Sequence, residues 1–278
     1  MTGRPTGPDD LTVTLSNPRA ERVRKVAALS GRPARSRAGQ FLVEGPQGVR
    51  EAVAFAPERV RDVYLSADAL AKHPQIVADA LAAELWVHLA TDEVVAAMSV
   101  DSQGILAVVE TAGASLDDIV AAKPRLVAVL SNVRDPGNAG TVIRAADAAG
   151  ADAVVLAGDS VDITNPKVVR STAGSLFHLP IARAPLADAC IALSEAGLTL
   201  LAADGSGTVE LGGEGAGGAS LGGPTAWVFG NEAWGLAEDD LALVDTVVRI
   251  PIYGRAESLN LATAASVCLY ASAAAQRS

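Results

Sequence analysis

With 278 residues, half of them hydrophobic and only 4% aromatic, the chain can build two ordinary cores, made of Ala, Val, Leu and Ile. Its formal charge of −10 argues against a uniformly basic nucleic-acid binder. Residues 1–10 lack the apolar core of a signal peptide, and no run reaches the roughly 18 apolar residues of a membrane span. Cys190 and Cys268 fit neither a metal-ligand spacing nor a disulfide framework, so a cytoplasmic protein with free buried thiols, no metal and no membrane segment is expected.

Residues 1–12 are rich in Gly, Pro and polar side chains and read as a disordered tail. Strands and helices then alternate, which predicts a small α/β sandwich over 13–111. A basic helix over 18–30 and a loop lead to a strand at 41–44. Gly45-Pro46 opens a helix that runs to Phe55. A strand at 60–65, a helix at 76–83, a strand at 85–89, a short helix at 91–98 and a strand at 105–109 follow. Residues 112–123 read as a linker ending in a short amphipathic piece before Pro124. A second domain over 124–278 begins with a strand at 125–130. Further strands at 153–156, 199–202, 226–229 and 246–250 alternate with Ala-rich helices, the pattern of an open, mostly parallel sheet. Ligands of such sheets bind at the carboxyl ends of the strands. Residues 205–223, charged only at Glu210 and Glu214, read as a flexible surface loop, and 260–275 as a buried terminal helix.

Charge is unevenly spread. Between Ser16 and Gln40 lie Arg19, Arg22, Arg24, Lys25, Arg32, Arg35 and Arg37 against Glu21 alone, a local balance of +6. Such a cluster can face RNA phosphates even on an acidic protein. Lys167 and Arg170, in a segment Asn165-Pro-Lys167-Val-Val-Arg170, are further candidates for phosphate contact.

Three short motifs fall just after predicted strands of the second domain. The first is Asn132-Val-Arg-Asp135-Pro136-Gly-Asn138-Ala-Gly140-Thr-Val-Ile-Arg144. The second is Phe229-Gly230-Asn231-Glu232-Ala-Trp-Gly235-Leu236. The third is Ile250-Pro251-Ile-Tyr-Gly254-Arg-Ala-Glu-Ser258-Leu259-Asn260. Glycines that allow close backbone approach sit beside one or two polar groups in each. Singly, each has a structural explanation: Asp-Pro-Gly makes turns, Gly230 can close a bend, and Ser258 can cap the final helix. A nicotinamide-binding Gly-x-Gly-x-x-Gly is absent, because Asn138-Ala-Gly140 does not supply it and Gly205-Ser-Gly207 lacks the third glycine. A P-loop is absent too, and His73, His88 and His178 stand in unrelated contexts.

In this order, the three motifs resemble the SpoU family of RNA 2′-O-ribose methyltransferases, within the knotted SPOUT superfamily. The 13–111 region, with Gln40-Phe-Leu-Val-Glu-Gly45 and Ser102-Gln-Gly-Ile-Leu-Ala107, looks like that family's L30e-like substrate-binding domain. The resemblance implies S-adenosylmethionine bound in a carboxy-terminal trefoil knot, by backbone groups at Gly230, Ile250 and Leu259 with Phe229 and Ser258 beside them. It implies Arg144 as the catalytic residue, with Asn138, Glu232, Ser258 and Asn260 building the reacting centre. An arginine is almost always protonated, so phosphate binding and stabilisation of a developing alkoxide suit it better than a free-base role. The expected substrate is structured RNA, 23S ribosomal RNA ahead of transfer RNA, and the expected assembly is a homodimer joined through the Ala-rich final helix. A non-catalytic RNA binder that keeps the fold is the alternative, against which the intact Asn138, Arg144, Glu232, Ser258 and Asn260 set stands. Departures from the family pattern are small: Ala233 replaces a frequent Gly, and Leu261 a usual Val.

Overall fold

Alternate residues of each strand must point to opposite sides of a sheet, and two sheets in this chain use that rule differently. The computed structural model describes residues 7–213 and 219–278, so residues 1–6 of the expected tail and Glu214 of the Gly-rich loop lie outside them. Pro8–Asp10, within the expected tail, makes one 3-10 turn. Two compact units result: the chain up to Ala112 together with Ile163–Phe177, and Gly113–Asp162 together with His178–Ser278.

In the first unit, strands β1 (Val13–Leu15), β2 (Gln40–Glu44), β3 (Val60–Ser66), β4 (Trp86–Ala90) and β5 (Ile105–Glu110) form one sheet in the order β1-β4-β3-β5-β2. β4 runs parallel to β1 and β3, whereas β5 is antiparallel to β3 and β2. Leu42, Tyr64, Leu106 and Val108 turn to one face, where Val23, Val26, Val94, Val95 and Met98 of helices Glu21–Ala28 and Asp92–Met98 cover them. Helices Pro46–Phe55 and Pro74–Ala82 bury Val49, Ala52, Val53, Val77 and Ala80. Helix Pro166–Ser171 packs on β2, so a segment assigned by sequence to the second domain is part of this unit.

The loop expected after the basic helix is instead a helix, Arg32–Ala38. Its signals are a proline in the first turn and Gly39, whose φ of 62° is the left-handed conformation that ends helices. A second unexpected helix, Ala67–Lys72, is capped by Ser66, whose Oγ accepts the Ala69 N–H at 3.3 Å.

The second unit holds seven strands: β6 (Leu126–Ser131), β7 (Ala153–Ala157), β8 (Ile181–Ala184), β9 (Thr199–Ala203), β10 (Val209–Glu210), β11 (Thr225–Phe229) and β12 (Thr246–Arg249). Their order is β10-β12-β9-β11-β6-β7-β8, and every described pairing is parallel. Both faces are therefore covered, and β6 and β11 are buried along their full length, which is why they read as continuous apolar runs. Val127, Val129, Ala226 and Val228 meet helices Leu116–Ala121 and Leu186–Glu195 on one side. Helices Pro136–Ala149 and Leu261–Arg277 pack together across the other, where the Trp227 indole N–H donates to Ser272 Oγ at 2.8 Å. β10 lies inside the segment expected to be loop, and β8 was not expected; both are short edge strands with little apolar pattern.

Candidate active site

In strand order, β12, β9, β11 and β6 are neighbours, so the loops leaving their carboxyl ends emerge side by side. Three of these loops are the sequence motifs. The fourth, after β9, begins Asp204-Gly205. A polar chain ties the three motifs together. Asn260 Nδ2 donates to Asn138 Oδ1 at 3.0 Å, and Asn138 Nδ2 donates to Glu232 Oε1 at 3.3 Å. The Asp135 N–H reaches the same carboxylate oxygen at 3.2 Å. The amide orientations are mutually required: an ionised carboxylate only accepts, so Asn138 must offer it the NH2 and keep its oxygen for Asn260. Asn260 Oδ1 is then free for the Ala262 N–H at 2.9 Å and the Thr263 N–H at 3.4 Å. Asn260, not Ser258, is thus the cap of the final helix, which corrects the expectation for Ser258.

The turn in the first motif is fixed by Asp135, whose Oδ1 accepts the Asn138 N–H at 2.7 Å, with Pro136 in the first helical position. In the second motif, Asn231 and Gly235 exchange two backbone hydrogen bonds of 2.9 Å. The Asn231 side chain donates to the Asn132 carbonyl at 2.7 Å and accepts the Ala233 N–H at 2.8 Å. Gly230 lies under this closed loop: a Cβ there would stand 2.4 Å from the Gly235 carbonyl carbon and 2.7 Å from the Leu236 nitrogen.

Between these loops is a cleft of about 270 Å³. Gly230, Ile250, Ser258 and Leu259 line it, as the resemblance implies. Phe229 does not; its ring is buried in the sheet, stacked with Trp227 at a centroid distance of 6.3 Å. Ile250, Ile252, Leu259, Leu261 and Ala264 make part of its lining apolar, Asp204, Glu232 and Glu257 also line it, and among the described residues no Lys or Arg does. Asp204 and Glu257 were not singled out from sequence. Asp204 was findable, since it follows a strand adjacent to β11 and starts a turn, accepting the Ser206 N–H at 2.9 Å. A lining that combines apolar side chains, carboxylates and glycines fits a ligand that joins a flat apolar ring to a cationic centre.

Residues 125–270 match the model of the SpoU rRNA Methylase family. The chain belongs to the SpoU family. A Streptomyces viridochromogenes protein named 23S rRNA (uridine(2479)-2′-O)-methyltransferase is 34% identical over 88% of this chain and 86% of its own length. The Bacillus subtilis 23S rRNA (guanosine(2553)-2′-O)-methyltransferase RlmP is 31% identical over 92% and 97%. An AdoMet-bound rRNA methyltransferase from Sinorhizobium meliloti superposes with a TM-score of 0.80 at 28% identity, covering 94% of this chain and 97% of that one.

In this SpoU protein, Arg144 is exposed on helix Pro136–Ala149, about 9 Å along the axis from Asn138, and does not line the cleft. The candidate RNA-binding cations divide into two groups. Arg19, Arg24, Arg32, Arg37 and Lys167 are exposed, and Lys25 is an exposed partner of Glu21 at 2.7 Å. Arg22 is held by Asp62 at 2.6 Å and Tyr64 Oη at 2.8 Å, beside His88. Arg35 is only 5% exposed and donates to Thr164 Oγ1 at 3.0 Å and to the carbonyls of Leu29 and Ser30, so it is a structural group and not a phosphate-facing one. Arg170 is likewise committed, to Glu44 and to Asp101 at 3.1 Å. A buried arginine cannot be told from a surface one by local composition.

Proposed function

We propose that this chain transfers a methyl group from S-adenosylmethionine to a ribose 2′-hydroxyl of structured RNA, 23S ribosomal RNA in particular. The observation that carries this reading is the convergence of three motif loops on one acid-lined cleft, locked by Asn260, Asn138 and Glu232. S-adenosylmethionine supplies an electrophilic methyl group on a sulfonium. Gly230, Ile250 and Leu259 would hold it, while Asp204, Glu232 and Glu257 would favour a cationic ligand over a neutral one. Asn138, fixed from both sides, orients the reacting centre. As the ribose oxygen bonds to the methyl carbon, the carbon–sulfur bond would break and its electron pair stay on sulfur, S-adenosylhomocysteine would leave, and the hydroxyl proton would pass to solvent water. Arg144 grips a neighbouring phosphate and stabilises the charge that develops on that oxygen.

The wider reading includes a knotted carboxy-terminal segment, an L30e-like first domain and a homodimer working in the cytoplasm. A groove of about 450 Å³ bordered by Arg22, Lys25 and Arg37 supports RNA contact by the first unit.

The test is tritium transfer from labelled S-adenosylmethionine to total RNA of a strain lacking the gene, with the product mapped by ribose-methylation-sensitive sequencing. One 2′-O-methyl position, lost with Arg144→Ala while cofactor affinity stays within threefold, is the expected result. Cofactor binding without transfer to any RNA would overturn the reading.

A further inference from the structure

Beside the cleft, the second motif exposes an aromatic side chain, one of several exposed aromatics of the chain but the one that follows Glu232 by two residues. Trp227 is fully buried, but Trp234, in the second motif, is 56% exposed. It does not line the cleft. The paired Asn231–Gly235 hydrogen bonds close its loop, and the Asn231 side chain ties it to Asn132. These bonds set the backbone from which the indole projects. The Arg134 guanidinium of the first motif lies over its ring, 5.3 Å from the centroid. Arg134 is itself mostly exposed, with one loose ion-pair contact to Asp159 at 3.6 Å.

Both residues are one or two positions from the polar chain at the reacting centre. Trp234 follows Glu232 by two residues, at most about 8 Å along the backbone, and Arg134 precedes Asp135, whose N–H bonds to Glu232.

We infer that Trp234, with Arg134 across its ring, is a stacking platform that receives a nucleobase of the RNA substrate next to the ribose being methylated. The inference rests on the RNA-methyltransferase reading given above and adds the residue pair that seats the base. Three physical points select this occupant. Unstacked RNA bases dock on aromatic rings and on arginine planes, and this pair offers both. The guanidinium supplies positive charge for the adjoining phosphate, on a rim whose cleft is otherwise acidic. Stacking tolerates any base, so the platform positions the nucleotide without choosing its identity.

The experiment uses full-length protein and an in vitro transcript of 23S ribosomal RNA. Removing an aromatic platform weakens binding by about 1–3 kcal/mol per stacked base, or about 5- to 150-fold. Trp234→Ala is therefore expected to raise KM for the transcript by that factor, while the S-adenosylmethionine Kd stays within threefold and Trp234→Phe recovers most of the loss. The slope of log affinity against log salt should be unchanged in Trp234→Ala and shallower by about one in Arg134→Ala, because only the latter removes a phosphate partner. In a Trp86→Phe background, where Trp227 and Trp234 remain, transcript should quench emission, and the quench should vanish when Trp234→Phe is added. An unchanged KM in Trp234→Ala overturns the inference. So does a shift in oligomeric mass that accounts for the whole loss, which would make the indole a seat for a second copy of the chain. If the wild-type protein transfers nothing to the transcript, the methyltransferase reading on that RNA fails, and quenching alone then decides: its presence supports the platform and its absence overturns it.

Discussion

Gly230→Ala isolates the geometry of the cleft from its chemistry, since it adds one methyl group and no charge. The glycine is not needed for an unusual backbone angle, because its φ lies outside the left-handed region. The added Cβ would meet the Gly235 carbonyl carbon at 2.4 Å and its oxygen at 2.5 Å, where ordinary contact begins near 3.4 Å. The obstructing atoms are backbone and cannot swing aside, so the 235–236 peptide must retreat by about 1 Å. That displacement stretches the 2.9 Å bond from the Asn231 N–H to the Gly235 carbonyl beyond hydrogen-bonding range. Losing it costs about 0.5–1.5 kcal/mol and the overpacking about 1–3 more, or ~1.5–4.5 kcal/mol in all. The strained loop is local, so the expected signature is a cofactor Kd weakened at least tenfold by titration calorimetry, together with a lower Tm. Gly205→Ala is the control: it lines the same cleft, yet a Cβ there meets nothing within 4 Å, and binding should stay within threefold. Wild-type affinity and Tm in Gly230→Ala would refute the close-approach reasoning.

Asn260→Ala removes the final helix's cap and orphans Asn138 Oδ1, so it should cost about 1–2 kcal/mol in urea unfolding. Asn260→Asp keeps the cap but sets a carboxylate against that oxygen, so it should retain more stability than Asn260→Ala while losing most methyl transfer. Ser258→Ala should change stability by less than about 0.5 kcal/mol, because Asn260 does the capping. Arg35→Ala strips donors from the Leu29 and Ser30 carbonyls and should destabilise by about 2–4 kcal/mol. Arg37→Ala, at an exposed position, should leave the urea midpoint alone and weaken RNA binding in a filter assay. Burial pushes the Cys268 thiol up to about 12, and burial with the Asp240 charge pushes Cys190 up to about 11. Neither should react with a thiol reagent at pH 8 until denaturant is added. Because both folded values are raised, their contribution to stability is complete below the usual thiol value near 9 and is lost as pH climbs towards 11 and 12. Urea midpoints across pH 8–11 should fall, and fall less in a Cys268→Ala variant.

How much of this could be read from the chain follows from how far apart the cooperating residues lie. β6 and β11 were visible because a strand buried on both faces writes its state into consecutive residues. Helix Pro46–Phe55 was visible because Gly45 and Pro46 mark its start. Helix Arg32–Ala38 was missed because its surface is arginine and its apolar face is only Ala34 and the stem of Arg35, too little for a period. β8 and β10 were missed because edge strands of two to four residues have no pattern to show. The motifs named the right loops, but the pairings within them span 94 residues from Asn138 to Glu232 and 122 from Asn138 to Asn260. No local spacing encodes such bonds; only the order β12-β9-β11-β6 brings them within reach.

That order also explains why net charge was a poor guide to the partner. A cleft that favours a cationic ligand gains from carboxylates, and Asp204, Glu232 and Glu257 all face it. The same carboxylates repel phosphate, so a protein that must hold both ligands has to separate its charges in space. Here the separation is visible at residue level: among the described residues no Lys or Arg lines the cleft, while Arg134 and Arg144 are exposed outside it on the first motif, and Arg19, Arg24, Arg32 and Arg37 are exposed in the other unit. The chain total of −10 sums two opposed requirements and describes neither surface. Raising salt should therefore weaken RNA binding steeply through the exposed arginines, whereas cofactor affinity, set largely by an apolar wall and backbone groups, should change far less. Equal salt sensitivity for the two ligands would mean that the charges are not partitioned in this way.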